Sequence, residues 1–345
     1  MTSSTLGANP SQRRALCNST DRPPQRKRCG GLSVELQSAC LCEGPAPRVE
    51  LVTYRRKEPG RAFLPDLLKQ ERSPGEALWL VSWGFHVPQL LRQLQGRPVA
   101  YHAHSSGYGF DLPAGVPVLA VSRNTLGYWG DRAPRSPLQW VPNAIDFGFG
   151  GGTGERPIDV LVQARKSSRY VRDQLLPALH QRGLTVELQQ GWVDDLGDLF
   201  RSAKVVLYDS ADHWRRAGVS EGFGLPPIEA LASGCVVFSS FNHALADTLD
   251  PGHLGWQIGR GTLSADLDRI TAAARTPQQW LPEPEMLQRL LASHSESAVR
   301  QRWREALEVV NDHWDRVLGG EQPLRAQSPW QLRWGRRFSR LRRRS

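Results

Sequence analysis

Two carboxylates bracket a glycine loop. In Ser220 to Gly234, S-E-G-F-G-L-P-P-I-E-A-L-A-S-G, Glu221 precedes Gly222 and Gly224, and Glu229 follows eight positions after the first acid. Pro226 and Pro227 come next, and the Ile-Glu-Ala-Leu-Ala run has the composition of a short helix. Proline is tolerated in a helix's first turn, because the N–H it lacks would be unpaired there in any case. The stretch therefore reads as a loop feeding a helix N-terminus. Backbone N–H groups of Phe223, Gly224 and Leu225 are then left unpaired at the positive end of the helix dipole, where a phosphate is stabilised. Carboxylates repel phosphate, so Glu221 and Glu229 suit neutral hydroxyl donors such as those of a ribose or a hexose. Amides for an anion beside acids for hydroxyls describe a site for a nucleotide sugar. An amphipathic helix capped by an ordinary turn accounts for Pro226 and Ala230 but not for an acid on each side of the glycines.

The spacing of the two acids, with F-G between them and E-A-L-A-S-G after, resembles glycosyltransferase family 4, whose members are retaining nucleotide-sugar enzymes of the GT-B fold. The resemblance covers roughly residues 29 to 318. It implies an α/β architecture of two Rossmann-like, doubly wound domains facing a cleft, with the donor held mainly by the second. Glu229 would accept from the ribose hydroxyls and Glu221 from hydroxyls of the sugar being moved.

Other positions follow from the same resemblance. I-D-V-L-V-Q-A-R-K delivers Arg165 to a strand end, where the family has an arginine for the donor diphosphate. The lysine expected five positions on is Tyr170 here, so Lys166, Arg169 and Arg172 compete for its role and Lys166 is the candidate. A solvated basic helix face is the competing account of Arg169 and Arg172. The base would lie near Trp192 and Val193, and Gly30 and Gly31 match the paired glycines that follow the first strand. His102 and His104, two apart at the end of P-V-A-Y-H-A-H, share one side if extended. His104 is the candidate to contact the transferred sugar and joins Glu221 as a catalytic residue. Either histidine can equally be satisfied by a backbone carbonyl, and His86 is a third candidate. V-P-N-A-I-D resembles the family's crossing between domains, with Asn143 and Asp146 as turn formers. The scheme needs no metal, the sequence shows no D-x-D triplet suited to one, and the nucleotide sugar, UDP- or GDP-linked, is a substrate rather than a cofactor.

The elements that must position these residues are legible in outline. A chain of 345 residues accommodates two domains. R-V-E-L-V-T-Y, A-L-W-L-V-S-W, P-V-A-Y-H-A-H and V-P-V-L-A-V-S read as strands with helices between them, a pattern of parallel sheets covered on both faces. Ligands of such sheets bind at the carboxyl ends of the strands. T-V-E-L-Q-Q, K-V-V-L-Y-D-S and C-V-V-F-S-S supply strands in the second half, and a helix is expected from about Tyr170 to Arg182. Residues 1–28, rich in Ser, Pro, Arg and Asn, are expected to be disordered. R-P-P-Q-R-K-R before Cys29 contains two prolines and no β-branched run, so no first strand is expected there and the N-terminal domain, 29–146, is expected to be reduced. A Gly-rich linker over 147–157 and a donor domain over 158–318 complete the division. Ala298, Trp303, Ala306, Val309 and Val310, at near-helical spacing, are expected in the core. A-D-H-W-R-R-A-G-V, between Ser210 and Ser220, reads as a flap bearing acceptor contacts from Trp214, Arg215 and Arg216, or as a surface insertion.

The formal charge of +10 resides mainly in the two ends. In the tail, 319–345, Trp330, Trp334, Phe338 and Leu341 fall on one helical face among arginines, which suits an anionic membrane surface. Nucleic acid is the rival partner of such a stripe. No stretch approaches the roughly 20 apolar residues of a membrane span, and the N-terminus lacks a secretory pattern, so a cytoplasmic protein at the inner membrane face is expected. Cys17, Cys29, Cys40 and Cys42 fit neither zinc nor disulfide spacing and read as reduced thiols, with Cys235 in the core. The expected partners are a nucleotide sugar and an acceptor glycan or glycolipid. A glycoside hydrolase would also use two acids, but not a phosphate loop. A GT-B remnant that binds nucleotide or lipid without catalysis is the alternative from another class.

Overall fold

The computed structural model describes residues 14–19, 30–46, 48–71, 73–133, 135–145, 149–150, 152, 154–191, 193, 195–322 and 330. The first domain runs β1 (Arg14–Ser19), α1 (Gly30–Cys42), β2 (Val49–Thr53), β3 (Ala62–Phe63), α2 (Leu64–Gln70), β4 (Ala77–Ser82), α3 (Val87–Gln93), β5 (Val99–Ala103), β6 (Val118–Ala120), α4 (Arg123–Arg132) and β7 (Leu138–Trp140). Its strands lie in the order β3-β2-β1-β4-β5-β6-β7, every neighbouring pair parallel. Both faces of this sheet are covered, which is why β4 reads as an unbroken apolar run. Leu78 and Leu80 pack on one side with α1, whereas Trp79 and Val81 pack on the other with α3, as period-two alternation requires.

The second domain runs β8 (Ile158–Gln163), a π-helical turn at Tyr170–Leu175 continuing into α5 (Leu176–Gln181), β9 (Val186–Gln189), α6 (Leu196–Arg201), β10 (Ala203–Tyr208), α7 (Ala211–Ala217), α8 (Leu225–Ala232), β11 (Val236–Ser239), α9 (Leu245–Thr248), β12 (Trp256–Gln257), α10 (Leu263–Arg275) and α11 (Pro284–Ser293), and the chain then continues into α12 (Glu296–Leu318). Its parallel sheet has the order β12-β11-β10-β8-β9. The wide turn sits just ahead of Pro177, whose missing N–H removes one rung of a regular helix.

Several expectations need correction. The segment expected to be disordered contains β1, and β1 lies between β2 and β4, so the first domain is not reduced at its centre. The strand is R-A-L-C-N-S, well upstream of R-P-P-Q-R-K-R. It lacks a β-branched run, yet partners on both sides satisfy its backbone. Gly30 and Gly31 open α1 rather than forming a loop ahead of it.

Helix α12 falls within the expected donor domain but packs on the first. Val299, Trp303, Ala306, Leu307 and Val310 are buried with Leu78, Leu80, Ala100 and Leu119. Trp314 Nε1 donates to the Val99 carbonyl at 2.9 Å, and Arg300 donates to the Glu43 carbonyl at 2.7 Å. The buried stripe includes Trp303, Ala306 and Val310 but runs through Val299 and Leu307, so Val309 is 38% exposed and Ala298 only half-buried. Asp146, Trp192 and linker residues 147, 148, 151 and 153 lie outside the described residues, as does the tail apart from 319–322 and exposed Trp330. Among the described residues no helix is long and apolar enough to cross a membrane. Cys40, Cys42 and Cys235 are unbridged, and Cys235 is buried.

Candidate active site

The glycine loop lies at the carboxyl edge of the second sheet, between α7 and α8. Gly224 caps α8 in the left-handed region, φ 87°, where a side chain would also overlap Leu245. Pro226 and Pro227 occupy the first turn of α8. Among the described residues no carbonyl or side chain accepts from the N–H groups of Phe223, Gly224 and Leu225. The Phe223 ring is buried beside His294, 5.4 Å between centroids, and packs with Ile228, Val121 and Ile145 from both domains. Leu225 is half-buried.

Glu221 is 4% exposed, and donors of the chain itself surround it. Lys166 Nζ lies 3.1 Å from Oε1, while the Tyr208 hydroxyl and the Trp214 indole N–H donate to Oε2 at 2.7 and 2.6 Å. Burial pushes the Glu221 carboxyl up, but the Lys166 charge and the hydrogen bonds from Tyr208 and Trp214 bring it below its ordinary value. Burial and then the Glu221 charge push the Tyr208 phenol well above its usual range. The Lys166 ammonium also sits 4.7 Å above the Trp214 ring and 5.6 Å from that of Tyr208. The Glu221 N–H donates to His243 Nδ1 at 3.2 Å, and His243 holds a left-handed backbone, φ 52°. A carboxylate offers about four acceptor positions, so these donors leave Glu221 roughly one, on Oε1.

The remaining donor-site candidates divide. Glu229 is half-buried in α8, with its charge near enough to raise the Tyr208 phenol. Lys166 reaches Glu221, whereas Arg165 is exposed in the turn after β8. The Tyr170 hydroxyl donates to Asp266 at 2.9 Å, which takes position 170 away from Glu221. Val193 is half-buried beyond β9. The stretch read as a flap or an insertion is α7, whose Trp214 turns inward onto Glu221 while Arg215 and Arg216 pair with Asp212 outside.

Opposite this loop stands the carboxyl edge of the first sheet. Across the gap, a side chain at position 222 would overlap the His104 carbonyl oxygen, so only glycine fits this approach. Ser105 Oγ donates to the Ser220 carbonyl at 2.7 Å, Ser106 Oγ to Ser220 Oγ at 2.8 Å, and the Ser106 N–H to Ser220 Oγ at 3.0 Å. These three serines are buried and join the domains beside Glu221.

His102 and His104 both turn inward, and their partners are not backbone carbonyls. His104 Nε2 lies 2.8 Å from Glu35 Oε2 and 3.1 Å from His102 Nδ1. Ser82 donates to the other Glu35 oxygen. Burial opposes ionisation of Glu35, but His102 and His104 hold its carboxyl well below the usual range. Burial, then the proximity of His102, lowers the His104 pKa. The His104 ring stacks on Trp83, 4.7 Å between centroids, and Trp83 has the left-handed φ of 72° that bulky residues avoid. His86 is exposed at the start of α3.

Glu35, Ser82, Trp83, Tyr208, His243 and the serine junction were not singled out from the sequence. Glu35 had a signal, as a lone acid in the apolar helix G-L-S-V-E-L-Q-S-A-C. The rest depend on contacts between distant segments.

Neither a protein-family model nor a curated protein sequence matches the chain. Solved structures do. A glycosyltransferase from Rickettsia africae is similar at TM-score 0.62 and 10% identity, covering 88% of this chain and 99% of the other. Sucrose-phosphate synthase from Thermosynechococcus elongatus matches at TM-score 0.58 and 13% identity, covering 90% and 100%. HepE from Anabaena, solved in complex with UDP and glucose, matches at TM-score 0.52 and 15% identity, covering 90% and 100%. The chain has the GT-B fold, with two parallel α/β domains facing each other across the loop at Glu221.

Proposed function

We propose that the protein is a glycosyltransferase that moves a hexose from a nucleotide diphosphate sugar to an acceptor hydroxyl, with retention, in the manner of family 4. The observation that carries this reading is the row of unpartnered amides from Phe223 to Leu225, set between Glu221 and Glu229 at the N-terminus of α8. Structural likeness to HepE, itself solved with UDP and glucose, supports it.

The diphosphate lies on those amides, with Arg165 and Lys166 neutralising its growing charge on departure. Glu229 accepts from the ribose, and Val193 lies beside the base. Gly30 and Gly31, now in the first turn of α1, face the donor from the other domain. Glu221 binds the transferred sugar through its remaining acceptor position. His104, whose Nε2 faces Glu35 and His102, meets the sugar through Nδ1. Transfer itself needs no metal. Acceptors are glycans or glycolipids of cell-surface polymers, reached from the cytoplasmic face of the membrane, with the 319–345 tail on anionic lipid.

Melting in the presence of UDP, GDP and a panel of their sugars tests the donor site. A shift with one nucleotide, lost in Glu229→Ala, supports the reading, and no shift with any would overturn it. The enclosure of Glu221 by Lys166, Tyr208 and Trp214 favours a second reading, a protein that binds the nucleotide without transfer. Slow hydrolysis of the matching nucleotide sugar, lost in Glu221→Gln, separates transfer from binding alone.

A further inference from the structure

Three side chains of the first domain turn their donor atoms toward one point. Glu35 projects from α1, and His102 and His104 from the end of β5. Glu35 Oε2 lies 2.8 Å from His104 Nε2 and 3.5 Å from His102 Nδ1, with the two nitrogens 3.1 Å apart. All three residues are buried, at 3%, 1% and 7% exposure.

The triangle has the size of a metal site. A point equidistant from the three atoms lies about 1.8 Å from each within their plane, and raising it by roughly 0.9 Å brings the distance to about 2.0 Å. That is the bond length of zinc to imidazole nitrogen or carboxylate oxygen, and an ion above the plane of three ligands is what a four-coordinate centre requires. The surroundings orient the set. Ser82 occupies the other Glu35 oxygen, which leaves Oε2 to the histidines, and Trp83 fixes the plane of the His104 ring.

Hydrogen bonding alone serves this cluster poorly. His104 Nε2 faces two partners, Glu35 Oε2 and His102 Nδ1, with at most one proton. An ion engages Oε2, Nδ1 and Nε2 at once.

We propose that Glu35, His102 and His104 form a binding site for a divalent transition-metal ion, zinc in the first place, with water in the fourth position. Two imidazoles and one carboxylate suit zinc better than magnesium or calcium, which take mainly oxygen. The ion ties α1 to β5 and steadies the backbone at His104, whose carbonyl meets Gly222 at the domain junction. It belongs to the first domain and does not depend on the donor reading.

The test uses the untagged full chain, stripped with dipicolinate and then titrated with Zn²⁺ or Co²⁺. About one equivalent of zinc per chain is expected by elemental analysis, with a melting temperature raised by about 4 °C or more. Co²⁺ should give the visible absorption of a four-coordinate centre without a thiolate charge-transfer band. His102→Gln and Glu35→Gln should each lose the metal, and joint replacement of Cys17, Cys29, Cys40 and Cys42 by serine should retain it. Less than about a tenth of an equivalent with no melting shift overturns the proposal. So does metal retained by His102→Gln. If neither histidine-site variant folds, the cobalt spectrum of the native chain decides, because a thiolate band would assign the ion to the cysteines.

Discussion

Lys166 Nζ and Glu221 Oε1 lie 3.1 Å apart beneath the Trp214 indole, a partly buried ion pair closed over by a helix. Its side chains are 24% and 5% exposed, so neither charge is fully screened by water. Removing one partner leaves the other desolvated, and breaking such pairs costs about 3–5 kcal/mol when fully buried. Lys166→Met should therefore lower stability by about 3 kcal/mol, and Lys166→Met with Glu221→Gln by clearly less than the sum of the single changes. Denaturant midpoints across that double-mutant cycle measure the coupling, and simple additivity would dissolve the pair.

Ser220 tests the junction between domains. Its hydroxyl accepts from the Ser106 N–H at 3.0 Å and from Ser106 Oγ at 2.8 Å. Ser220→Ala leaves a buried amide donor unsatisfied, at about 1–3 kcal/mol. The expected result is a lower melting temperature together with faster amide exchange at Ser106. Replacement by threonine keeps the acceptor and should restore the protection of that amide.

Much of this arrangement was legible because it is local. The strand of β4 and the helix of α8 are written in runs of adjacent residues, and the acids flanking Gly222 and Gly224 are eight apart. β1 was not legible, because its place comes from β2 and β4 on either side rather than from its own composition. The two-residue spacing of His102 and His104 put them on one side, but Glu35 lies 67 positions before the first of them, and no period connects them. Similarly, nothing in A-D-H-W-R-R-A-G-V says that Trp214 turns inward. That choice is made by the buried charge of Glu221, which needs a donor.

Gly224→Ala should damage the amide cradle more than a surface change would. The residue holds φ 87°, and a methyl group there would press on Leu245. Left-handed backbone costs a non-glycine residue about 1–2 kcal/mol, before any cost of moving Leu245. Because the strain falls on the loop whose N–H groups carry the proposed diphosphate, nucleotide affinity should drop by about tenfold or more. Calorimetric titration with the nucleotide that shifts the native chain measures this. Unchanged affinity would place the diphosphate elsewhere.

Acid should destabilise the protein in two windows. Burial lowers the His294 pKa from its ordinary 6.5, with the Leu290 carbonyl offsetting it only in part. Below pH 6.5 the unfolded chain then binds a proton that the folded chain resists, and stability falls as pH falls. His213, His243 and His313 are lowered in the same direction and add to the slope. Glu221 acts lower down. Its folded pKa lies below the ordinary 4.5, so its contribution is complete above about pH 4.5 and is lost as pH drops through the folded value. Melting temperature measured from pH 8 to pH 3 should thus decline first below about 6.5 and again below about 4.5. His294→Gln should flatten part of the first decline, and Glu221→Gln part of the second, which the lowered carboxyl of Glu35 also drives. A histidine variant that left the upper slope untouched would mean that His294 is not held neutral behind the Phe223 ring.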